Sequence, residues 1–256
     1  MIDRSLRSLR GGALAACLLL FGPAALCAEL VVNGGFETNG GANTNTFSGW
    51  TVTDQAGGSG SFFAQTGTSN PTGFSCSGTT VPAPPQGTFA AMTTQNGPGS
   101  HLLSQDVTVP AATTALFTAR FFVNNQGSAF VTPASLDYTA APNQQFRIDV
   151  MTTASALTDM GAGILAGVYR TNTGDPLISG YNVISFDMSA FAGQTVRLRI
   201  AEVDTQGCIS TGIDAVSVQA PAPTAVAPVP TLSQYMLPAL AALLLVLGFA
   251  AARRRG

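Results

Sequence analysis

"TVRLRI", residues 195 to 200, decides how this chain is read. Val196, Leu198 and Ile200 alternate with Arg197 and Arg199, and a period of two is that of a strand whose side chains point to opposite faces. One face is expected in a core and the other in water. The same short alternation, punctuated by Gly, Pro, Asn and Asp, recurs at Leu102 to Val109, Leu116 to Val123, Phe146 to Met151, Ile164 to Tyr169, Val183 to Met188 and Ile213 to Val218. Helical periodicity does not extend beyond one turn around Ser189 to Ala192. Many short strands at this spacing predict an all-β fold, an antiparallel β-sandwich of the jelly-roll kind.

The two ends read differently. Arg4, Arg7 and Arg10 precede an apolar run from Ala13 to Phe21, a break at Pro23 and small residues up to Ala28. That is the layout of a secretory signal peptide cleaved after Cys27 or Ala28. Leu14 to Cys17 has the residue types of a lipobox, but the apolar run follows Cys17 where a lipoprotein signal needs it to precede. At the other end, Leu232 to Ala252 carries no charge. At ~1.5 Å per helical residue it is expected to span the ~30 Å of membrane hydrocarbon. Arg253, Arg254 and Arg255 follow as a stop-transfer cluster, which the positive-inside rule keeps in the cytoplasm. Everything between Ala28 and the helix is then outside. "APAPTAVAPVP", residues 220 to 230, predicts a semi-rigid polyproline spacer. The expected organisation is a signal peptide (1–28), a β-sandwich ectodomain (29–219), a Pro-rich linker (220–230) and a membrane segment (231–256).

The expected ectodomain holds twelve Asp and Glu against five Arg, a net charge of −7, and the chain has no Lys. Nucleic acid is excluded as a partner, since no basic patch can displace counterions from phosphates. A phosphate loop of the Walker type is excluded because its lysine is missing. Cys17 lies in the signal and Cys27 at its edge, leaving Cys76 and Cys208 for the ectodomain. In an oxidising compartment those two predict one disulfide, with two separately buried thiols as the alternative.

Catalytic signals are thin, and no enzyme is expected. His101, the sole histidine, opens a strand without a second His or a nucleophile elbow nearby, and reads as a surface residue. Glu202 and Asp204 share a face if the strand is regular, and Glu202 continues the Val196, Leu198, Ile200 series. A buried salt bridge, or a bulge near Ala201, is the expected explanation. "GAGILAG", residues 161 to 167, lies among strands with the wrong glycine spacing for a dinucleotide loop. Trp50, Tyr138, Tyr169, Tyr181, Phe62 and Phe63 are the aromatics that could stack on a sugar ring. Trp50 reads as core, and Tyr138, in a loop with Pro133 and Pro142, is the expected exposed platform.

Two resemblances add to this. Val229, Pro230, Thr231, Leu232 and Ser233, followed by an apolar helix and arginines, resemble the IPTL-CTERM sorting signal of Gram-negative bacteria, a relative of the PEP-CTERM signals. Val229 stands where that family usually has Ile, and Tyr235 where it more often has Trp. The resemblance implies passage through Sec-type export machinery, cleavage by an exosortase-like processing protease at the cytoplasmic membrane, and delivery to the cell surface or extracellular matrix. A plain single-pass anchor is the alternative. "LVVNGGFE" (30–37), "SGWTV" (48–52) and "GIDAVSV" (212–218) resemble the galactose-binding-like jelly rolls of carbohydrate-binding modules, with Ala215 where many relatives carry Asp or Asn. This implies a polysaccharide ligand and a structural calcium where the first and last strands meet, held by Glu37 and Asp214. The alternative is that these two carboxylates bond loop backbones without metal. The expected protein is therefore a glycan-binding surface or matrix protein; a structural matrix protein without a specific ligand comes second and a hydrolase third.

Overall fold

Alternating apolar residues become eleven strands among the residues described by the computed structural model, which are 27–71, 80–111, 113–221 and 232–253. Residues 1–26, Cys76, the linker segment 222–231 with Val229, Pro230 and Thr231, and Arg254 and Arg255 lie outside the described residues. In chain order the strands are β1 (Cys27–Glu29), β2 (Thr51–Asp54), β3 (Ser61–Gln65), β4 (Ala90–Thr94), β5 (Gly99–Thr108), β6 (Leu116–Asn125), β7 (Gln145–Thr152), β8 (Ile164–Arg170), β9 (Asn182–Asp187), β10 (Thr195–Asp204) and β11 (Ile209–Pro221). A single 3-10 turn, Ser189–Phe191, sits where one helical turn is expected.

The strands form two antiparallel sheets. One runs β3-β4-β11-β6-β9, with β1 added to the end of β11; the other runs β2-β5-β10-β7-β8. The chain crosses between sheets at every connection except β3 to β4 and β7 to β8, as sandwich connections do. Leu103, Ile148, Leu198 and Ile200 from one sheet meet Phe117, Phe121, Val123 and Ile213 from the other in a shared apolar core, each contributing about 1.5–3 kcal/mol by burial. All seven expected strands form, because alternation matched to the pleat is the strongest local signal. The four short strands β1, β2, β3 and β4 escape sequence reading, since "CAE", "TVTD", "SFFAQ" and "AAMTT" are too short for an alternation to stand out.

Three expectations change. The second face of β10 is not uniformly wet. Arg197 is part exposed and paired with Asp106, whereas Arg199 is fully buried under the 153–163 connection, where its guanidinium donates to the Leu157 and Asp159 carbonyls. The domain boundaries also shift, because Cys27, Ala28 and Glu29 pair with Pro221, Ala220 and Gln219. The sandwich thus takes two residues from the expected signal peptide and two from the expected linker. Pro221 is tolerated there because a strand end needs no further N–H donor.

The expected membrane segment forms a helix, α1 (Leu232–Arg253), which begins at Leu232 and Ser233 of the sorting motif and ends at Arg253. Among the described residues, however, no helix is long and apolar enough to cross a membrane. Ser233, Gln234 and Tyr235 take the first turn and Pro238 follows, so the apolar stretch begins at Met236. From Met236 to Ala252 it measures about 25 Å of helix, short of the ~30 Å of hydrocarbon.

Candidate functional site

Strands β8 and β9 end their respective sheets, each with one partner, β7 and β6. Between these two edges lies a groove of about 910 Å³. Its floor is aromatic. Tyr169 lies opposite Ile148 and so faces inward, its ring centroid 4.3 Å from that of Phe121 and 6.1 Å from that of Phe146. Burial, and then the charge of Asp175, raise the Tyr169 phenol above its ordinary pKa, so it stays a neutral hydroxyl.

Arg147 and Arg170 are direct cross-strand partners next to Ile148 and Tyr169, so their side chains turn to the opposite face of the sheet, where Arg147 meets Asp149. The groove rim mixes apolar Val183 and Ile184 with polar Asn172, Asp175 and Ser179 of the connection from β8 to β9. That connection is pinned to β6: Asn125 N–H donates to Leu177 O at 2.8 Å, and Ser179 N–H donates to Val123 O at 2.8 Å. Arg147 is fixed by a two-pronged bond to Asp149, 2.7 Å on each prong. Asp149 also accepts from Arg199 at 2.6 Å, so one buried carboxylate serves two cations and Arg147 carries unshared positive character. An aromatic floor with hydroxyl-seeking side chains at its rim can hold the apolar face of a sugar while bonding its polar edge.

Glu37 and Asp214 do come together, around the 86–89 segment. Glu37 Oε1 accepts the Thr88 and Phe89 N–H groups at 2.8 and 2.9 Å. Asp214 accepts Gln86 N–H at 3.0 Å on one oxygen and Ala215 N–H at 2.6 Å on the other. Burial pushes the Asp214 carboxyl up to about 7, and the nearby Glu37 charge adds to this. A site for calcium would offer six to eight oxygens, whereas these carboxylates face amide protons. The donor set does not fit the cation, and the hydrogen-bonded clamp is the reading it supports.

The other expected positions fall as follows. Tyr138 is not a free platform: its hydroxyl donates to Ala56 O at 3.2 Å and its ring edge packs on Gly57 and Gly58. Trp50 is core, as expected, donating from its indole to Asn33 O. Cys208 is disulfide-bonded, and Cys76, its expected partner, lies outside the described residues.

Sequence reading missed a second cluster. His101 is not a surface residue but is 1% exposed, and its Nδ1 lies 2.7 Å from Asp54 Oδ1. Its Nε2 is 4.0 Å from Glu202 Oε2. No bulge occurs at Ala201, for β10 pairs with β5 in unbroken register from Thr195 to Asp204. Glu202 therefore points inward with Val196, Leu198 and Ile200. Burial, then the charges of Asp204 and Asp54, push its carboxyl well above the usual range. The alternation carried Glu202 to the inner face, but nothing in sequence reveals which residue of another strand lies opposite it.

No family model and no curated protein matches this chain. Among solved structures it is similar to the carbohydrate-binding module TmCBM61 in complex with beta-1,4-galactotriose, at 16% identity and a TM-score of 0.43, covering 75% of this chain and 97% of that one. It is also similar to a Stig cyclase from Fischerella sp. TAU, at 13% identity and 0.44, covering 77% and 100%. A third is the K3 cleaved adhesin domain of Lys-gingipain from Porphyromonas gingivalis w83, at 12% identity and 0.44, covering 75% and 98%. Likeness at this level assigns no function.

Proposed function

We propose that this protein is exported to the cell surface or extracellular matrix and binds polysaccharide in the groove between β8 and β9. The observation that carries the reading is the Tyr169 ring, set on Phe121 and Phe146, in a groove whose rim includes Asn172, Asp175 and Ser179. Stacking of a sugar face on an aromatic ring, with hydrogen bonds to its hydroxyls, is the economical way to hold a carbohydrate in water. The arginine-flanked signal at the N-terminus and the IPTL-CTERM-like tail support export and processing by an exosortase-like protease. Cys76 is the proposed partner of Cys208. A hydrolytic role is less well supported, since Glu202 and Asp204 are buried between the sheets and do not line the groove.

A panel of neutral and acidic polysaccharides, tested on the full chain, decides the binding claim. Tyr169→Ala is expected to weaken binding at least tenfold, while Tyr138→Ala leaves it unchanged. Equal binding by both variants would remove the groove from the proposal. A folded protein that retains no glycan would favour the structural matrix role.

A further inference from the structure

The register of three strands places a histidine and three carboxylates on one inner surface, near one end of the sandwich. Asp54 on β2 lies opposite His101 on β5, and His101 lies opposite Glu202 on β10. Asp204 is two residues beyond Glu202 and so faces the same way. His101 Nε2, a Glu202 oxygen and an Asp204 oxygen all lie within 4.8 Å of one another.

Two of the three groups at the centre are without partners, while the third, Asp204, accepts the Gly99 N–H at 2.8 Å on Oδ1. Glu202 is fully buried and neither of its oxygens has a hydrogen bond; His101 Nε2 has none either. A buried carboxylate without a partner costs several kcal/mol unless something neutralises it. No side chain at residue 99 blocks the buried His101 Nε2. A side chain at residue 99 would place its Cβ 2.6 Å from that nitrogen and 2.5 Å from the Ser59 carbonyl oxygen, and Gly99 has none. On the far side of the ring, Asp54 accepts from Nδ1, which leaves the Nε2 lone pair directed at the carboxylates. A carboxylate behind a histidine is the arrangement that orients and strengthens a metal-binding imidazole.

We propose that His101, Glu202 and Asp204 bind one divalent transition-metal ion, with Zn²⁺ best matched to one imidazole and two carboxylates, and that Asp54 positions the histidine. Three ligands at ~2.0–2.1 Å around a tetrahedral ion are about 3.3 Å apart. The 4.0 Å between His101 Nε2 and Glu202 Oε2 is longer than that value, so the proposal requires these two side chains to draw together on the ion. The ion would tie β2, β5 and β10 together, a structural role independent of the groove and of any glycan.

His101 is the only histidine in the chain, so one imidazole reports on the site. The full chain, made without a histidine tag and stripped with a chelator, would be titrated with Zn²⁺ while the ¹⁵N resonances of that ring are followed. A shift of Nε2 saturating at one equivalent is expected, with Nδ1 remaining protonated. Metal analysis after gel filtration should then give one zinc per chain, falling at least tenfold in Glu202→Gln. Asp54→Asn should retain the stoichiometry but weaken affinity roughly 10–100-fold. An Nε2 resonance that does not move, or zinc retained equally by Glu202→Gln, would overturn the site. The wild-type titration stands whether or not the variants fold.

Discussion

At Gly34 the sandwich tolerates no side chain. A Cβ there would lie 1.7 Å from the Val216 carbonyl oxygen, and the Val216 N–H donates to Gly34 O at 2.9 Å. This is where "LVVNGGFE" meets the closing strand, at the register shift between Asp214 and Ser217. Gly34→Ala is expected to lower stability by about 2–4 kcal/mol, more than the usual cost of overpacking because the obstacle is backbone. Urea denaturation would measure it. Inside the same bulge Ala215 has a φ of 50°, a conformation that costs an L residue roughly 1–2 kcal/mol. Ala215→Gly should therefore stabilise by about 1 kcal/mol. Asp214 beside it gives a pH dependence. Its folded-state pKa of about 7 lies above the ordinary 3.8, so the folded state holds more protons than the unfolded state between those values. Stability is then highest below about pH 4 and falls as pH rises through 7. Glu37 and Arg120 act on this carboxyl in opposite directions, and Tyr181 faces it. Asp214→Asn is expected to flatten that part of the slope in a melting series from pH 4 to 8.

At the scale of elements, β10 shows how one alternating strand is given different surroundings along one face. Arg197 and Arg199 are equivalent in sequence, but only Arg199 lies beneath the 153–163 connection, where its guanidinium shares Asp149 with Arg147. Removing the acid would leave two buried cations uncompensated. Asp149→Asn should cost about 3–5 kcal/mol, whereas Arg197→Ala, which breaks a partly exposed pair, should cost below about 1 kcal/mol. Thermal denaturation of the two variants checks the contrast. The strand itself was legible because hydrophobic alternation is local. The cover over Arg199 was not, because it depends on where a loop forty residues away folds back.

For the whole molecule, the bridge at Cys208 is expected to be worth about 2–4 kcal/mol, so reductant should lower the melting temperature of the full chain measurably. The proposed export leads to a cellular outcome: removing residues 1–26 should retain the protein in the cytoplasm, which immunoblotting of cell fractions reads. Sequence alone determined the β class, seven of the strands, the core faces, the acidic lysine-free surface and the helix of the tail, because propensity, periodicity and charge are carried by neighbouring residues. Tertiary structure decided the groove between β8 and β9, the withdrawal of Tyr138 onto Gly57 and Gly58, the amide partners of Glu37 and Asp214, and the meeting of His101 with Glu202. Each of these depends on strand order and register, which arise from packing two sheets together and bring into contact residues that no local pattern relates.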